Sequence, residues 1–505
     1  MMGDIPVLSL IILLPVIGAL ITFMLGRRES LAKWVALAFS AAAFVLSLVV
    51  AYEFVVDPYA VPGTEIEGYS NGYQFYESHV WIESLGINYI VGIDGISLPL
   101  FVLTTLLCML SVIFSWDTDR RPKEYFGLML VLEVGVLGVF VALDYFMFYV
   151  FWEIVLIPMY FMIGVWGGPN KDYAAIKFFI YTHIASLAML LAIMAMYFEA
   201  GLGSFSMEAI AGESVGFSRG VQFAIFAAML FGFGVKLPMV PFHTWLPDAH
   251  VEAPTAGSVL LAGLLLKMGG YGLIRVAIPS LPSGAQDMVI AMAVIAVVSI
   301  VYGAILCLAQ NDLKKMVAYS SISHMGFVLL GYATLGELGV VAGVFQMFAH
   351  GLVTAVLFMM CGVVQHKCGT RLIPLLGGLA KKMPIAAALM TIGFLASLGL
   401  PGLVSFAAEF MVFAAVFFKW ELWIFVPIAA VAVTAAYYLW ALQRSMFGPM
   451  TDKIDTSHLK DVNWYEGIPV AVLVVLIAVF GVFPSLVFSR IGPAVEIALR
   501  AFGGG

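Results

Sequence analysis

About fourteen stretches of roughly 20 mostly apolar residues follow one another along this chain, and no other feature constrains its fold as strongly. A helix of that length crosses the hydrocarbon core of a membrane. Of the 505 residues, 63% are hydrophobic and 11% are charged, so too few polar residues remain to coat one water-soluble core. The sequence therefore predicts an all-α polytopic membrane protein and excludes a soluble enzyme, a nucleic-acid-binding protein and a disordered scaffold.

The predicted spans are separated by loops that differ in positive charge. The spans are expected at 5–25, 32–53, 96–115, 125–143, 145–165, 174–199, 220–242, 255–279, 286–308, 317–334, 338–363, 384–417, 421–442 and 467–489. Of the 24 Lys and Arg residues, 17 lie in alternate loops and 5 lie on the opposite side. Because short cytoplasmic loops are enriched in Lys and Arg, we expect both termini outside a cell (inner) membrane, which is favoured over the mitochondrial inner membrane.

The loop 54–95 differs from the other loops because it is acidic. It contains no Lys or Arg and six carboxylates, at Asp57, Glu65, Glu67, Glu77, Glu83 and Asp94. Several Tyr residues and Trp81 accompany them. Two interpretations are equally compatible with this pattern, an ordered external cap and a plain acidic loop.

Ionisable side chains inside the predicted spans are candidates for function, since each is costly in a bilayer unless it is paired or hydrated. They are Glu133, Glu153, Lys177 (at a span edge), Lys236, His243, His250, Lys267, His324, His350 and Glu409. Lys267 lies near the middle of its span, where a lysine cannot extend its ammonium group to the membrane surface. We expect a functional role for Lys267, and the alternative is a structural lysine paired with a neighbouring carboxylate.

Two of the predicted spans contain helix-breaking sequences beside a charge. Lys236 directly precedes Leu-Pro-Met-Val-Pro, and Glu409 follows Leu398-Gly-Leu-Pro-Gly. Proline removes a helix donor, and such breaks are tolerated at membrane depth where the backbone is buried in protein or lines a wet cavity. Two broken spans in corresponding places indicate an internal repeat with an ion path, as in transporters. The alternative is two unrelated proline kinks.

Glu153 and Lys236 are predicted to form a pair. A lone buried carboxylate would take up a proton, so a lysine is its expected partner, and Lys236 is the nearest clearly buried base in this half of the chain. Such a pair titrates as a coupled unit, which is the behaviour that a proton switch requires.

The histidines and cysteines give weaker indications. His243 and His250 are seven residues apart without standard zinc-ligand spacing, so no metal site is expected. Proton relay suits His324 and His350, because histidine titrates near neutral pH, with satisfied buried histidines as the alternative. The four cysteines are scattered and indicate neither a disulfide framework nor an iron–sulfur site. No phosphate-binding loop is present.

Several motifs resemble those of the antiporter-like membrane subunits of the respiratory complex I family. They are Val91-Gly-Ile-Asp-Gly-Ile-Ser-Leu98, Phe151-Trp-Glu-Ile, Lys177-Phe-Phe-Ile-Tyr-Thr182, Lys236-Leu-Pro-Met-Val-Pro-Phe-His-Thr-Trp-Leu-Pro-Asp-Ala-His-Val-Glu-Ala-Pro254, Ala318-Tyr-Ser-Ser-Ile-Ser-His324 and Leu400-Pro-Gly. The similarity extends over essentially the whole chain, and the stretch 236–254 is its most specific part.

The resemblance implies a domain organisation and a set of partners. Two inverted five-helix repeats are expected at 125–279 and 286–442, each with a broken helix. The N-terminal helices with the acidic loop (1–124) precede them, and a cytoplasmic loop with the C-terminal helix (443–505) follows. No redox centre is expected on this chain. Flavin, iron–sulfur clusters and quinone would belong to partner subunits, both membrane-bound and peripheral.

The resemblance also implies roles for individual residues. Glu153 and Lys236 correspond to the coupled pair, Lys267 to the central lysine and Glu409 to the terminal carboxylate. His324 and His350 correspond to relay residues. Glu133, Lys177, His243 and His250 are additional candidates.

Two positions distinguish branches of the family. Glu409 separates this chain from sister chains and from subunits of multi-chain sodium/proton antiporters, which usually carry Lys there. Thr182-His183 departs from the Thr-Gln common in bacterial chains, which leaves a deazaflavin- or ferredoxin-fed archaeal relative as an alternative.

Three functions follow from these features. The leading expectation is a proton-translocating subunit of an NADH:quinone oxidoreductase-type complex, and the second is a sodium/proton antiporter subunit. A membrane anchor that conducts nothing is the third, and the buried charges argue against it.

Overall fold

The computed structural model describes residues 5–25, 29–56, 69–70 and 72–502. Arg27 and Arg28 of the first basic loop lie outside the described residues, as do Asp57, Glu65 and Glu67 of the acidic loop. Helices occupy most of the described chain, as the sequence predicts.

The helices are named here in chain order. The first group comprises α1 (Val7–Met24), α2 (Ala32–Val56), α3 (Ser97–Phe114), α4 (Pro122–Val141), α5 (Tyr145–Ile154), α6 (Leu156–Trp166), α7 (Lys171–Ala200), α8 (Met207–Ser214), α9 (Arg219–Lys236), α10 (Trp245–Glu252), α11 (Thr255–Leu260), α12 (Leu266–Gly272), α13 (Ile278–Ser280) and α14 (Pro282–Asp287). The second group comprises α15 (Val289–Leu308), α16 (Leu313–Ala333), α17 (Glu337–Cys368), α18 (Pro384–Ser397), α19 (Val404–Trp420), α20 (Phe425–Ser445), α21 (Trp464–Val482) and α22 (Ser485–Ala498).

Thirteen helices among the described residues are long and apolar enough to cross a membrane. One of them, Val404–Ser445, is 42 residues long and changes direction at Glu421, where the backbone has a positive φ of 46°. Dividing it there into α19 and α20, as the sequence predicts, gives fourteen spans, with α18 and α19 as the two halves of one broken span. The prediction of an all-α polytopic fold is confirmed.

Both predicted helix breaks are present. Helix α9 ends at Lys236 and α10 begins at Trp245, and α18 and α19 are separated by residues 398–403. The span Thr255–Ser280 has a further irregularity that the sequence did not indicate. Two π-helical turns, Leu261–Leu265 and Leu273–Ala277, lie on either side of Lys267. Such turns are often found at functional sites in membrane and soluble proteins.

Strands occur within the acidic loop, where the sequence predicted none. Strands β1 (Tyr69–Ser70), β2 (Tyr73–Ile82) and β3 (Ile87–Ile93) form an antiparallel sheet in the order β1-β2-β3. Backbone hydrogen bonds join this sheet to the neighbouring connections, from Leu143 N to Ile90 O and from Phe205 N to Gly86 O. The described part of the loop is therefore the ordered cap and not the plain acidic loop.

The centre of the molecule consists of three elements, the span Thr255–Ser280, α16 and α17. All three are almost wholly buried, whereas no more than a third of the residues of α2, α15 and α21 are buried. Because lipid solvates apolar side chains but not charges, polar groups are stable only where protein encloses them. Lys267, His324 and His350 are all on these three central elements.

The two ends of the helix bundle differ in character. Trp166 Nε1 donates to the Arg120 carbonyl at 2.6 Å, and Arg371 Nε contacts Asp312 Oδ2 at 2.6 Å, so the loops rich in Lys and Arg meet at one end. We call this the basic end. Helix α3 begins next to the sheet and ends at the basic end. The sheet therefore lies at the opposite end of the bundle, which we call the hairpin end.

Candidate functional site

A buried ammonium group and an imidazole are in contact at the centre of the molecule. Lys267 Nζ lies 2.6 Å from His350 Nδ1, and it also donates to the Ala262 carbonyl in the first π turn. Both side chains are buried, and among the described residues no carboxylate is within ion-pair distance of Lys267. The alternative of a structural lysine paired with a carboxylate is therefore wrong.

Further titratable side chains lie between His350 and the second helix break. The rings of His350 and His324 lie 5.6 Å apart, and His324 Nδ1 is 3.2 Å from Glu409 Oε1. These two last atoms are close but are not aligned for a hydrogen bond. Lys267, His350, His324 and Glu409 thus form a continuous sequence of titratable groups, which we call the central row.

The backbone break between α18 and α19 places Glu409 at the end of the central row. Gly399 has a φ of +78°, and a Cβ at this position would meet Glu409 Oε2 at 2.9 Å. The missing side chain thus allows the carboxylate to pack against the break. On the other side of His324, Nε2 lies 3.2 Å from Ser397 Oγ, which donates to Tyr438 Oη at 2.7 Å.

Glu153, on α5, is paired with a residue that the sequence analysis did not select as its partner. Its Oε2 is hydrogen-bonded to His183 Nδ1 on α7 at 3.2 Å. Lys236 Nζ has no hydrogen-bond partner among the described residues. The predicted direct Glu153–Lys236 pair is therefore wrong, and the charge of Glu153 acts on Lys236 only through space.

Lys236 is enclosed by aromatic rings. Its ammonium group lies 5.3 Å from the centre of the Trp152 ring and 5.8 Å from that of Phe178. Cation–π attraction of this kind compensates part of the desolvation cost of a buried lysine. Helix α9 ends at this residue, because Pro238 and Pro241 follow.

Helix α5, which carries Glu153, is fixed at its start by Asp144. The Asp144 carboxylate accepts hydrogen bonds from the Phe146 and Met147 amides, which have no partner within the helix. Burial raises the pKa of Asp144 to about 6, while these amide contacts lower it. The helix that carries Glu409 has no side-chain cap at Leu403.

The additional candidates lie around the row and not in it. Glu133 is fully buried and neither of its oxygens has a partner, whereas Lys177 forms an ion pair with Asp248 at 2.7 Å. His243 packs edge-on against Tyr302. His250 is fully buried, stacks on Phe358, and has no partner for either ring nitrogen among the described residues.

The sequence analysis counted Arg275 as a loop residue at the outer end of a span. In the structure it is buried and forms an ion pair with Asp94 at 2.5 Å, and its Nη1 donates to Tyr73 Oη at 2.8 Å. Its Nε donates to Tyr271 Oη at 3.0 Å. These contacts attach the sheet to the span that carries Lys267.

Three charged residues with buried or specific contacts were thus missed as site residues. His183 had been noted only as a departure from a family motif, and its position six residues after Lys177 gave no sign that it faces Glu153. Arg275 and Lys314 were assigned to loops because each is within a few residues of a span end. No signal in the sequence indicated the contacts of Arg275, because they depend on where the sheet lies against its span.

The central row has the chemistry of proton transfer. Lysine, histidine and glutamate side chains exchange protons near neutral pH when burial and neighbouring charges adjust them. Among the described residues, no three His, Cys, Asp or Glu side chains are grouped closely enough to hold a metal ion.

Comparisons with known proteins find matches over most of the chain. The family described as NADH:quinone oxidoreductase/Mrp antiporter, TM, matches residues 142–435. F(420)H(2) dehydrogenase subunit M of Methanosarcina mazei is 44% identical over 95% of this chain and 95% of its own length. NADH-quinone oxidoreductase subunit M of Rhodobacter capsulatus is 41% identical over 97% of this chain and 95% of its own length.

A solved structure agrees over the same extent. A chain of respiratory complex I from Thermus thermophilus with bound NADH is 28% identical and covers 98% of this chain and 100% of its own, with a TM-score of 0.87. The resemblance identified from the sequence motifs is therefore confirmed along the whole length.

Proposed function

Because the chain belongs to the NADH:quinone oxidoreductase/Mrp antiporter membrane-subunit family, we propose that it is the proton-translocating subunit M of a complex I-type oxidoreductase. The observation that carries this proposal is the central row. A connected series of buried titratable groups has a high desolvation cost, and a subunit that only anchored its neighbours would gain nothing from it.

The roles of the row follow from its order. Lys267 and His350 share the centre, His324 connects them with Glu409, and Glu409 exchanges protons at the helix break. Glu153 and Lys236 act in the first repeat as an input that changes the charge near the row, through space and not by direct contact. Glu133 and His243 are assigned no step.

Electron transfer belongs to the partner subunits in this proposal. The flavin, iron–sulfur clusters and quinone reside there, and this chain contributes the proton path as a non-redox subunit of the enzyme. The names of two relatives contain different electron donors, F(420)H(2) and NADH, and these relatives have nearly the same sequence identity to this chain, 44% and 41%. The same membrane subunit therefore suits a complex fed by either donor, and the proposed function does not depend on which one is used.

We place the basic end in the cytoplasm and the hairpin end outside a cell membrane, with both termini outside. The excess of Lys and Arg at the basic end supports this orientation. Labelling of Ser457→Cys by a membrane-impermeant reagent is expected in inverted vesicles and not in intact cells. Labelling from outside intact cells would reverse the assignment.

The function is tested by proton flux per electron in vesicles that hold the purified complex. Lys267→Met is expected to abolish proton flux while the assembled complex still transfers electrons to its acceptor. Blue-native gels establish assembly before the measurement. A wild-type flux ratio in this variant would refute the proposed proton path, and co-purification without redox subunits would favour the sodium/proton antiporter instead.

A further inference from the structure

A polar cavity lies at the basic end, outside the central row. Its volume is about 580 Å³, and its rim includes the connection 166–169 between α6 and α7. Charged side chains from three elements line it, namely Glu252 at the end of α10, Lys314 at the start of α16 and Arg371 after α17. Since a water molecule occupies roughly 30 Å³, a cavity of this size and polarity accommodates many.

Lys314 is the most deeply buried charge of this cavity. It is 2% exposed, and its Nζ donates to the Ala253 carbonyl at 2.5 Å. Among the described residues it forms no ion pair, although the charges of Asp312, Glu252 and Arg371 act on it, as does Cys361. A buried ammonium group with a single carbonyl partner is a poor structural element, and it is well suited to releasing a proton.

His250 lies between this cavity and the central row. It directly precedes Val251, which lines the cavity, and Ser258 Oγ donates to its carbonyl at 3.0 Å. The charges of both Lys314 and Lys267 act on its ring. The ring in turn acts on His350. Both ring nitrogens of His250 are buried without a hydrogen-bond partner among the described residues, and the ring stacks on Phe358 of α17, the helix that carries His350.

We propose that Lys314 is the proton-loading residue of the central row and that this cavity is its water-filled entrance. This inference rests on the proposed function and specifies where the protons enter. Lys314 Nζ gives one proton to a ring nitrogen of His250, and cavity water restores the proton to Lys314. The proton then moves from the other ring nitrogen of His250 towards His350 and Lys267. Only N–H and O–H bonds are made or broken.

Three substitutions separate proton exchange from other roles of Lys314. Lys314→Met removes the titratable group at similar length, and Lys315→Met is the matched control on the next residue. Lys314→Arg keeps a positive charge that does not release protons in proteins. In vesicles with the assembled complex, Lys314→Met and Lys314→Arg should each lower proton flux per electron by about tenfold. This is less than the roughly 10²–10⁴-fold typical of a positioned general acid or base, because cavity water can still deliver some protons. Lys315→Met should pump normally.

The outcomes identify which proposal fails. Wild-type flux in Lys314→Met together with loss in Lys267→Met would refute the entrance and leave the proposed function intact. Normal flux in both variants would refute the proposed function itself. If Lys314→Arg pumped normally while Lys314→Met did not, Lys314 would be a fixed charge, and the proton-loading role would be wrong.

Access to the cavity provides a second measurement. Thr255→Cys places a thiol on the cavity wall, in a background where Cys368→Ser removes the half-buried native thiol. A small impermeant thiol reagent should label Thr255→Cys from the basic end and reduce proton flux by blocking the entrance. Absence of labelling from that end, or labelling with unchanged flux, would show that protons enter elsewhere.

Discussion

Two histidine–glutamate pairs in the molecule have the same separation of 3.2 Å and opposite surroundings. Glu153 and His183 lie at the side of the molecule, with side chains that are 25% and 38% exposed. Glu409 and His324 lie inside it, at 6% and 4%. The first pair is aligned as a hydrogen bond, and the second is only in contact.

The difference in burial indicates that the two pairs have different roles, although both consist of a glutamate and a histidine. Because protein surrounds the enclosed pair, we expect it to exchange protons only with the rest of the central row and at the helix break. The lateral pair is surrounded by exposed apolar residues such as Ile157 and Ile184, so it can respond to whatever lies against that face. We therefore expect substitutions of the enclosed pair to affect pumping more than substitutions of the lateral pair.

The largest effect is expected for Glu409→Gln. The amide keeps the volume of the carboxylate but cannot carry a proton, so proton flux per electron should fall nearly to zero in vesicles with the assembled complex. Glu421→Gln, on an exposed residue just after the same helix, is the matched control. A wild-type flux ratio in Glu409→Gln would make this carboxylate a structural partner of His324.

A strong but smaller effect is expected for Glu153→Gln and Lys236→Met. Each removes one of two charges that interact through space without a direct bond, so each should reduce pumping while some flux through the central row persists. The measurement is again proton flux per electron, after blue-native gels have shown assembly. If either variant lost proton flux as completely as Glu409→Gln, the lateral pair and the enclosed pair would not differ in task.

A moderate effect is expected for His183→Gln. The amide can still contact Glu153, but it cannot become charged, so proton flux per electron should fall moderately without disappearing in vesicles with the assembled complex. His458→Gln, in an exposed loop at the basic end, is the control. A wild-type flux ratio in His183→Gln would show that His183 serves only as a hydrogen-bonding group.

The smallest effect concerns the cap that distinguishes α5 from α19. Asp144→Ala should lower the stability of the complex by about 1 kcal/mol, because two amides lose their acceptor. Because the pKa of Asp144 is raised to about 6 by burial, the folded chain binds a proton more tightly than the unfolded one. The contribution of this residue to stability is therefore greatest at low pH and declines as pH rises through about 4 to 6.

Asp144→Asn keeps the cap without the titration. The melting temperatures of this variant and of the wild type are measured from pH 4 to 7. The difference between them, variant minus wild type, should increase as pH rises. A constant difference across that range would contradict the assignment of the titration to Asp144.

Much of this architecture could be predicted from the sequence. The length of an apolar stretch and the position of a proline determine the structure of their own helix, without reference to other parts of the chain. Lys267 at the middle of its span and both helix breaks follow from counting residues along one helix. The His183–Glu153 contact could not be predicted, since it depends on how α7 is rotated against α5. The strands were missed because burial along β2 does not alternate regularly, so the period of two that indicates a strand is absent.

The attachment of the sheet to Arg275 has a consequence for the biosynthesis of the chain. Arg275 follows its partner Tyr73 by 202 residues. At a synthesis rate of about 5–20 residues per second, the hairpin emerges roughly 10–40 s before that arginine exists. Throughout this interval the Asp94 carboxylate has no counter-ion from the later span. The hairpin end is therefore completed only after the span that carries Lys267 has been synthesised, and a chain truncated before Arg275 would leave the Asp94 carboxylate without this counter-ion.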